Sequence, residues 1–163
     1  MVEVRPAVVA DTPELVRLRA VMLAGMRGVV PEPGPWQQLA ARTLRRRLGD
    51  GSLAAFVVDR PDPAAGPVPG RLVACAVGVV ESRLGDPENP TGESGYVFNV
   101  ATEPGYRRRG YARACVQRLL EWYRERGIAV VDLRPSPEGE ALYRSLGFAP
   151  SSTPVLRLDN RNH

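Results

Sequence analysis

A chain of 163 residues, 44% hydrophobic and 25% charged, has the composition of an ordinary globular protein with enough apolar material for a buried core; a disordered or disulfide-stapled polypeptide is excluded. The formal charge is +4, every basic side chain other than the single histidine is arginine, and that histidine is the final residue, His163. This leaves no internal histidine for a Ser-His-Asp or Cys-His centre or for a histidine-built zinc site.

Cys75 and Cys115 stand in separate apolar segments at no metal-ligand spacing and read as buried free thiols. No metal is expected. No apolar run approaches the roughly 18–20 residues that cross a bilayer, and the N-terminus lacks an export pattern. The expectation is one cytoplasmic domain spanning 1–163, whose basic surface favours phosphate-bearing partners.

In chain order, Val2–Pro6 alternates like a short first strand. Asp11-Thr12-Pro13-Glu14 starts a helix, with Asp11 or Thr12 as cap and Glu14 closing a box with Asp11. Leu15, Leu18, Val21 and Met22 mark its buried face, and Gly25, Gly28 and the prolines from Pro31 to Pro35 end it in a loop. Trp36 opens a second helix with Leu39, Ala40, Thr43, Leu44 and Leu48 on one stripe. Arg42, Arg45, Arg46 and Arg47 form its solvated face, and Gly49 is the expected stop.

Leu53–Val58 is a strand, Arg60–Gly70 a turn-rich hairpin loop, and Arg71–Glu81 a nearly continuous apolar strand suited to the middle of a sheet. A polar link, Leu84–Gly95, precedes a third internal strand, Tyr96–Thr102. The helix from Tyr111 places Ala112, Cys115, Val116, Leu119, Leu120 and Tyr123 on one side and stops at Gly127. Ile128–Leu133 is a short strand, and Ser136-Pro137-Glu138 starts a short helix through Ala141, Leu142 and Leu146. Phe148–Pro150 and Val155–Leu158 read as final strands. The order β-α-α-β-β-β-α-β-α-β-β is that of an α+β layered domain.

Between strand and helix lies Glu103-Pro104-Gly105-Tyr106-Arg107-Arg108-Arg109-Gly110-Tyr111-Ala112. The first turn of a helix has N–H groups without partners and a partial positive charge, and a glycine there lets an anion approach the main chain. The stretch therefore reads as a pyrophosphate grip. It is neither a dinucleotide fingerprint nor a Walker loop: G-x-G-x-x-G is absent, and no lysine exists to serve the second. The rival reading of the arginine triplet, a nucleic-acid contact, lacks an accompanying aromatic platform or groove-reading helix.

Arg107-x-x-Gly110-x-Ala112 matches the signature [QR]-x-x-G-x-[GA], and Leu142-Tyr143-Arg144-Ser145-Leu146-Gly147-Phe148 is similar to L-Y-x-x-x-G-F. In these motifs and their separation the chain resembles the GCN5-related N-acetyltransferase (GNAT) family, strictly over Tyr96–Phe148 and loosely over nearly the whole length. The resemblance implies a three-layer fold around a mixed, mostly antiparallel sheet, and acetyl-coenzyme A as the donor co-substrate.

It further implies that N–H groups of Arg108, Arg109, Gly110, Tyr111 and Ala112 hold the pyrophosphate, with Arg107 completing the signature. Val100, Ala101 and Thr102 would offer main-chain groups to the pantetheine arm as an added strand does. Tyr143, at the family's tyrosine position, would hydrogen-bond the departing sulfur, and an N–H near Val100 or Ala101 would polarise the thioester carbonyl. Where many relatives carry an asparagine that contacts coenzyme A, this chain has Ser136-Pro137, so Ser136 could supply a hydroxyl while Pro137 has no N–H.

Several groups compete for the base. Asp132 falls where some N-terminal-amine acetyltransferases of the family carry a glutamate, and an acid in an apolar strand needs a partner if buried; pairing with Arg134 is its alternative role. Glu93 and Tyr96 are rivals, although Tyr96 occupies the position of the base glutamate in histone-type relatives. Asn99 could orient a water or the substrate, and a water chain would need no dedicated base. The acceptor would be an amine-bearing small molecule, a peptide or a protein N-terminus, bounded by Met22–Trp36, Pro87–Tyr96 and the last hairpin. A non-catalytic coenzyme A-binding sensor of the same fold is the competing reading, and a homodimer is compatible with the resemblance.

Overall fold

A computed structural model describes residues 2–61 and 71–161. In chain order it contains β1 (Arg5–Pro6), α1 (Thr12–Arg27), α2 (Pro35–Asp50), β2 (Leu53–Asp59), β3 (Leu72–Ser82), β4 (Glu93–Thr102), α3 (Tyr111–Glu125), β5 (Val131–Leu133) and α4 (Glu140–Ser145). The strands lie side by side as β1-β2-β3-β4-β5. All neighbours are antiparallel except β4 and β5, which run parallel.

β3 is central because it has no polar face: its first nine residues are buried. Alternate side chains divide the core in two. Cys75, Val77 and Val79 pack with Leu15 and Leu18 of α1 and Leu44 of α2, whereas Val73, Ala74 and Ala76 meet Cys115, Val116, Leu119 and Tyr123 of α3. The result is a mixed five-stranded sheet with helices on both faces, the α+β arrangement expected from the order of elements. Cys75 and Cys115 are buried and unpaired, and burial pushes the Cys75 thiol up to about 12.

Several local expectations are corrected. The Asp11–Glu14 box does not form. The Asp11 carboxylate instead takes a bidentate pair from Arg5, both bonds at 2.9 Å, and the Val8 N–H at 2.8 Å. Glu14 accepts from Arg17 and from the Leu72 N–H; tertiary partners have outcompeted the local cap.

α2 runs past Gly49 to Asp50 and turns at Gly51, whose φ of 77° is left-handed. Leu39 and Thr43 are exposed, and Arg47 is structural, donating to Ser52 and to the Val80 carbonyl. β4 begins at Glu93, three residues before the expected Tyr96, while β1 and β5 are shorter than expected. Residues 62–70 of the expected Arg60–Gly70 loop lie outside the described residues; the Arg60 N–H donates to Arg71 across the hairpin's base at 2.7 Å.

The short helix starts at Glu140 rather than Ser136, after a turn in which the Gly139 N–H donates to Ser136. Phe148–Pro150 and Val155–Leu158 form no strands. Val155, Leu156 and Leu158 are 74, 92 and 79% exposed, and β-propensity without a paired edge and a covered face does not make a strand.

Candidate active site

The site is built where β4 changes its partners. Asn99 pairs with Val77 and Val97 with Gly78, so Phe98 is the extra residue of a β-bulge. On the other side β4 pairs with β5 only from Gly95 to Val97. Beyond that point Phe98–Thr102 has no strand beside it among the described residues, so the edge of β4 offers its N–H and C=O groups to a ligand in the gap. Val100, Ala101 and Thr102 lie in this unpaired half.

β4 leads through a 3-10 turn at Pro104–Tyr106 to Gly110, the residue preceding α3. Arg108 and Gly110 both have left-handed backbone, at φ 63° and 80°. Such turns gather successive N–H groups into a concavity that attracts anions. The first turn of α3 (Tyr111, Ala112, Arg113) adds N–H donors with no intrahelical acceptor. A Cβ built on Gly110 meets nothing within 4 Å, so the space before the helix is open.

Two of the three arginine side chains are engaged elsewhere. Arg107 donates to the Thr102 carbonyl at 3.3 Å, and the Arg109 guanidinium lies 4.9 Å over the Tyr106 ring. Glu103, which begins the turn, is held by Arg17 of α1, and Arg17 also donates to the Leu72 carbonyl at 2.8 Å.

Tyr143 is half-buried on α4, edge-on to Phe148 with ring centroids 5.9 Å apart. Its hydroxyl makes no hydrogen bond among the described residues, and burial pushes its phenol above the usual range. It therefore remains a proton donor at neutral pH. Arg113 of α3 donates to Ser145 at 2.7 Å, tying α4 to the N-terminal end of α3. Ser136 accepts the Gly139 N–H at 3.1 Å and so shapes the turn that carries Tyr143.

The candidates for the base separate. Asp132 is exposed, not buried, and forms no ion pair with Arg134 among the described residues. The partner that burial would have required is not needed, because Asp132 faces solvent from an edge strand. Asp132 is opposite Tyr96 in register, and both lie on the α1/α2 side, since Val131 and Leu133 pack on the α3 side. Glu93 is at the start of β4, about 20 Å along the strand from Asn99, and is not brought to the bulge. Asn99 is 2% exposed; its NH2 group is 3.9 Å from the Cys75 sulfur, and its side-chain oxygen has no partner.

One side chain near the bulge carries no expectation from the sequence. Arg19 of α1 lies over the Phe98 ring at 5.7 Å, and one guanidinium nitrogen is fully shielded without a hydrogen bond. The available signal was positional. Arg19 is four residues after Leu15 and three before Met22, within the stripe that faces the sheet.

Among the described residues, no helix is long and apolar enough to cross a membrane, and no group of three or more His, Cys, Asp or Glu side chains could hold a metal ion.

Three comparisons bear on this geometry. Residues 27–148 match the model of the Acetyltransferase (GNAT) family. A structure from Clostridium acetobutylicum, described as an acetyltransferase with acetyl-CoA, is similar with a TM-score of 0.85 and 25% identity, covering 100% of this chain and 99% of that one. A GCN5-related N-acetyltransferase from Ralstonia eutropha gives a TM-score of 0.78 at 24% identity over 97% and 99% of the two chains. The [ribosomal protein bS18]-alanine N-acetyltransferase of Escherichia coli is 40% identical over 55 residues, a match spanning 32% of this chain and 37% of that protein.

Proposed function

The chain belongs to the GNAT acetyltransferase family, and from that premise we propose that it transfers acetyl directly from acetyl-coenzyme A to a primary amine. The acceptor is a small molecule, a peptide or a protein N-terminus. The observation that carries this reading is the unpaired half of β4 leading into a left-handed turn and the open N-terminus of α3. Free main-chain donors thus run from the strand edge to the helix.

The fit to the donor is chemical. N–H groups of Arg108–Ala112 suit a pyrophosphate, and the strand edge at Val100–Thr102 suits the amides of pantetheine. When bound, acetyl-coenzyme A supplies the activated acyl group. An N–H near Val100 or Ala101 polarises the carbonyl, and the Tyr143 phenol hydrogen-bonds the sulfur and delivers its proton.

Asp132, exposed beside Tyr96, takes the proton of the acceptor ammonium directly or through water. Tyr96 and Asn99 border the acceptor side, and Ser136 acts through the turn before α4. Glu93 is left as a boundary residue of the acceptor segment. The partial likeness to an enzyme named for a ribosomal-protein alanine supports including N-terminal amines in this reading. The same reading makes 1–163 one acyltransferase domain, acting in the cytoplasm. It also includes a homodimer, for which β5 has an open edge.

The test is coenzyme A release across amino acids, polyamines, aminoglycosides and N-terminal peptides. With an accepted amine, Tyr143→Phe is expected to lower kcat about 100-fold while donor affinity by calorimetry is unchanged. Donor binding without turnover of any amine would make the protein a coenzyme A-binding module instead.

A further inference from the structure

Arg19 occupies a position where the helix faces the sheet, between Leu15 and Met22 on the buried stripe of α1. The other partly or fully sheltered cations at this end of the chain have carboxylate partners: Arg5 holds Asp11 and Asp59, and Arg17 holds Glu14 and Glu103. Arg19 has no ion-pair partner among the described residues, and one of its nitrogens is shielded from solvent without an acceptor.

The Phe98 ring, 5.7 Å from the guanidinium carbon, offers a cation–π contact but no hydrogen-bond acceptor for the shielded Nη1. Proton loss offers no relief, because a guanidinium stays charged. Burial and the nearby positive charge of Arg27 both disfavour that charge, and no carboxylate among the described residues offsets them.

The bulge brings a second unpartnered group to the same face. With Phe98 as the extra residue, Phe98 and Asn99 both face α1, and the Asn99 side-chain oxygen is also buried without a donor. A cation without an acceptor and an amide oxygen without a donor thus stand on the α1 face of β4 beside the bulge, near the point where the strand's free edge begins. An anion would answer the first and an N–H donor the second.

We propose that Arg19 binds the anionic group of the acceptor and that Asn99 receives an N–H from it, so that the substrate is an amine bearing a carboxylate or a phosphate. This rests on the transferase reading above and names its substrate class. Arg19 is a specificity-determining residue, and its forked donors suit either oxyanion.

Three matched pairs test it: β-alanine against β-alaninamide, O-phosphoethanolamine against ethanolamine, and alanyl-glycine against alanyl-glycinamide. The wild type is expected to favour the anionic member of at least one pair by tenfold or more in kcat/KM, about 1.4 kcal/mol. The pair that responds distinguishes carboxylate from phosphate and free amine from peptide.

Arg19→Gln should lower kcat/KM for that anionic member at least ten times more than for its neutral counterpart, chiefly through KM, and Arg19→Lys should recover part of the loss. Equal losses for both members, or no preference in any pair, would overturn the proposal. If no amine turns over, calorimetry of β-alanine and O-phosphoethanolamine with the protein–coenzyme A complex still decides. Binding lost in Arg19→Gln supports the anion site even as the transferase reading fails, whereas no binding, or equal binding by both proteins, overturns it. Thermal melts of both variants separate a folding defect from a lost contact.

Discussion

Arg109 and Gly110 are adjacent in the loop and have unequal tasks. The Arg109 side chain is committed to the Tyr106 ring, while Gly110 holds a left-handed φ of 80° that any other residue adopts under strain. Gly110→Glu is therefore expected to abolish donor binding in calorimetry, whereas Arg109→Ala weakens it only about threefold, since an exposed cation contributes roughly 0.5–1 kcal/mol. Equal damage from the two would reverse this ranking of backbone over side chain.

Asp11 makes a separate prediction about pH. The Arg5 guanidinium holds its carboxyl below the usual range against the opposing effect of burial. A depressed carboxyl stabilises the fold above the unfolded value near 3.8 and loses that contribution as pH falls below about 4. Asp11→Asn should cost about 1.5–3 kcal/mol at neutral pH, because it removes a charge-assisted bidentate pair while Arg5 keeps Asp59, and should flatten the acid limb of a denaturation series. An unaltered acid limb would show that Asp11 does not carry it.

At the scale of elements, α3 is fastened to the sheet through Tyr123. Its hydroxyl donates to the Val79 carbonyl at 3.0 Å and also approaches the Tyr96 carbonyl at 3.3 Å, just before the bulge. Two glycines make room for it. A Cβ on Gly78 would stand 2.2 Å from the Tyr123 hydroxyl oxygen, and one on Gly95 would stand 2.6 Å from the ring.

Gly95→Ala is expected to destabilise by about 1–3 kcal/mol through overpacking, and Tyr123→Phe by about 1 kcal/mol through the lost hydrogen bond, both read by urea denaturation. A Gly95→Ala protein as stable as the wild type would mean that α3 slides freely on the sheet. In the sequence Tyr123 was visible as the last residue of the buried stripe. Its glycine partners, 45 and 28 positions earlier, were not, because their requirement comes from contact across the fold.

For the whole molecule, the +4 charge and the arginine-bearing loop should steer an anionic donor. Raising salt until the screening length falls from about 10 to about 3 Å is expected to increase KM for acetyl-coenzyme A severalfold with kcat little changed. A KM indifferent to salt would leave the grip to backbone contacts alone. The open β5 edge and exposed Val155, Leu156 and Leu158 favour self-association. Light scattering should find a dimer that Leu156→Asp converts to monomer; a monomeric wild type would refute this.

By itself the sequence determined the stripes of α1 and α3, the central place of β3, the strand–loop–helix at Arg107–Ala112 and the tyrosine of α4. Each depends on neighbours within a few turns or on a spacing written along one segment. Tertiary structure decided which expectations could be realised. The Asp11 and Glu14 carboxylates left their local box for Arg5, Arg17 and Leu72. Asp132 became exposed because it lies on the face of β5 turned away from α3, and the apolar tail did not become strands because it found no paired edge. The bulge at Phe98, the parting of β4 from β5 and the unpaired charge of Arg19 are relations between distant segments. No local pattern encodes them, since a backbone group's partner and a side chain's burial exist only once the layers are packed.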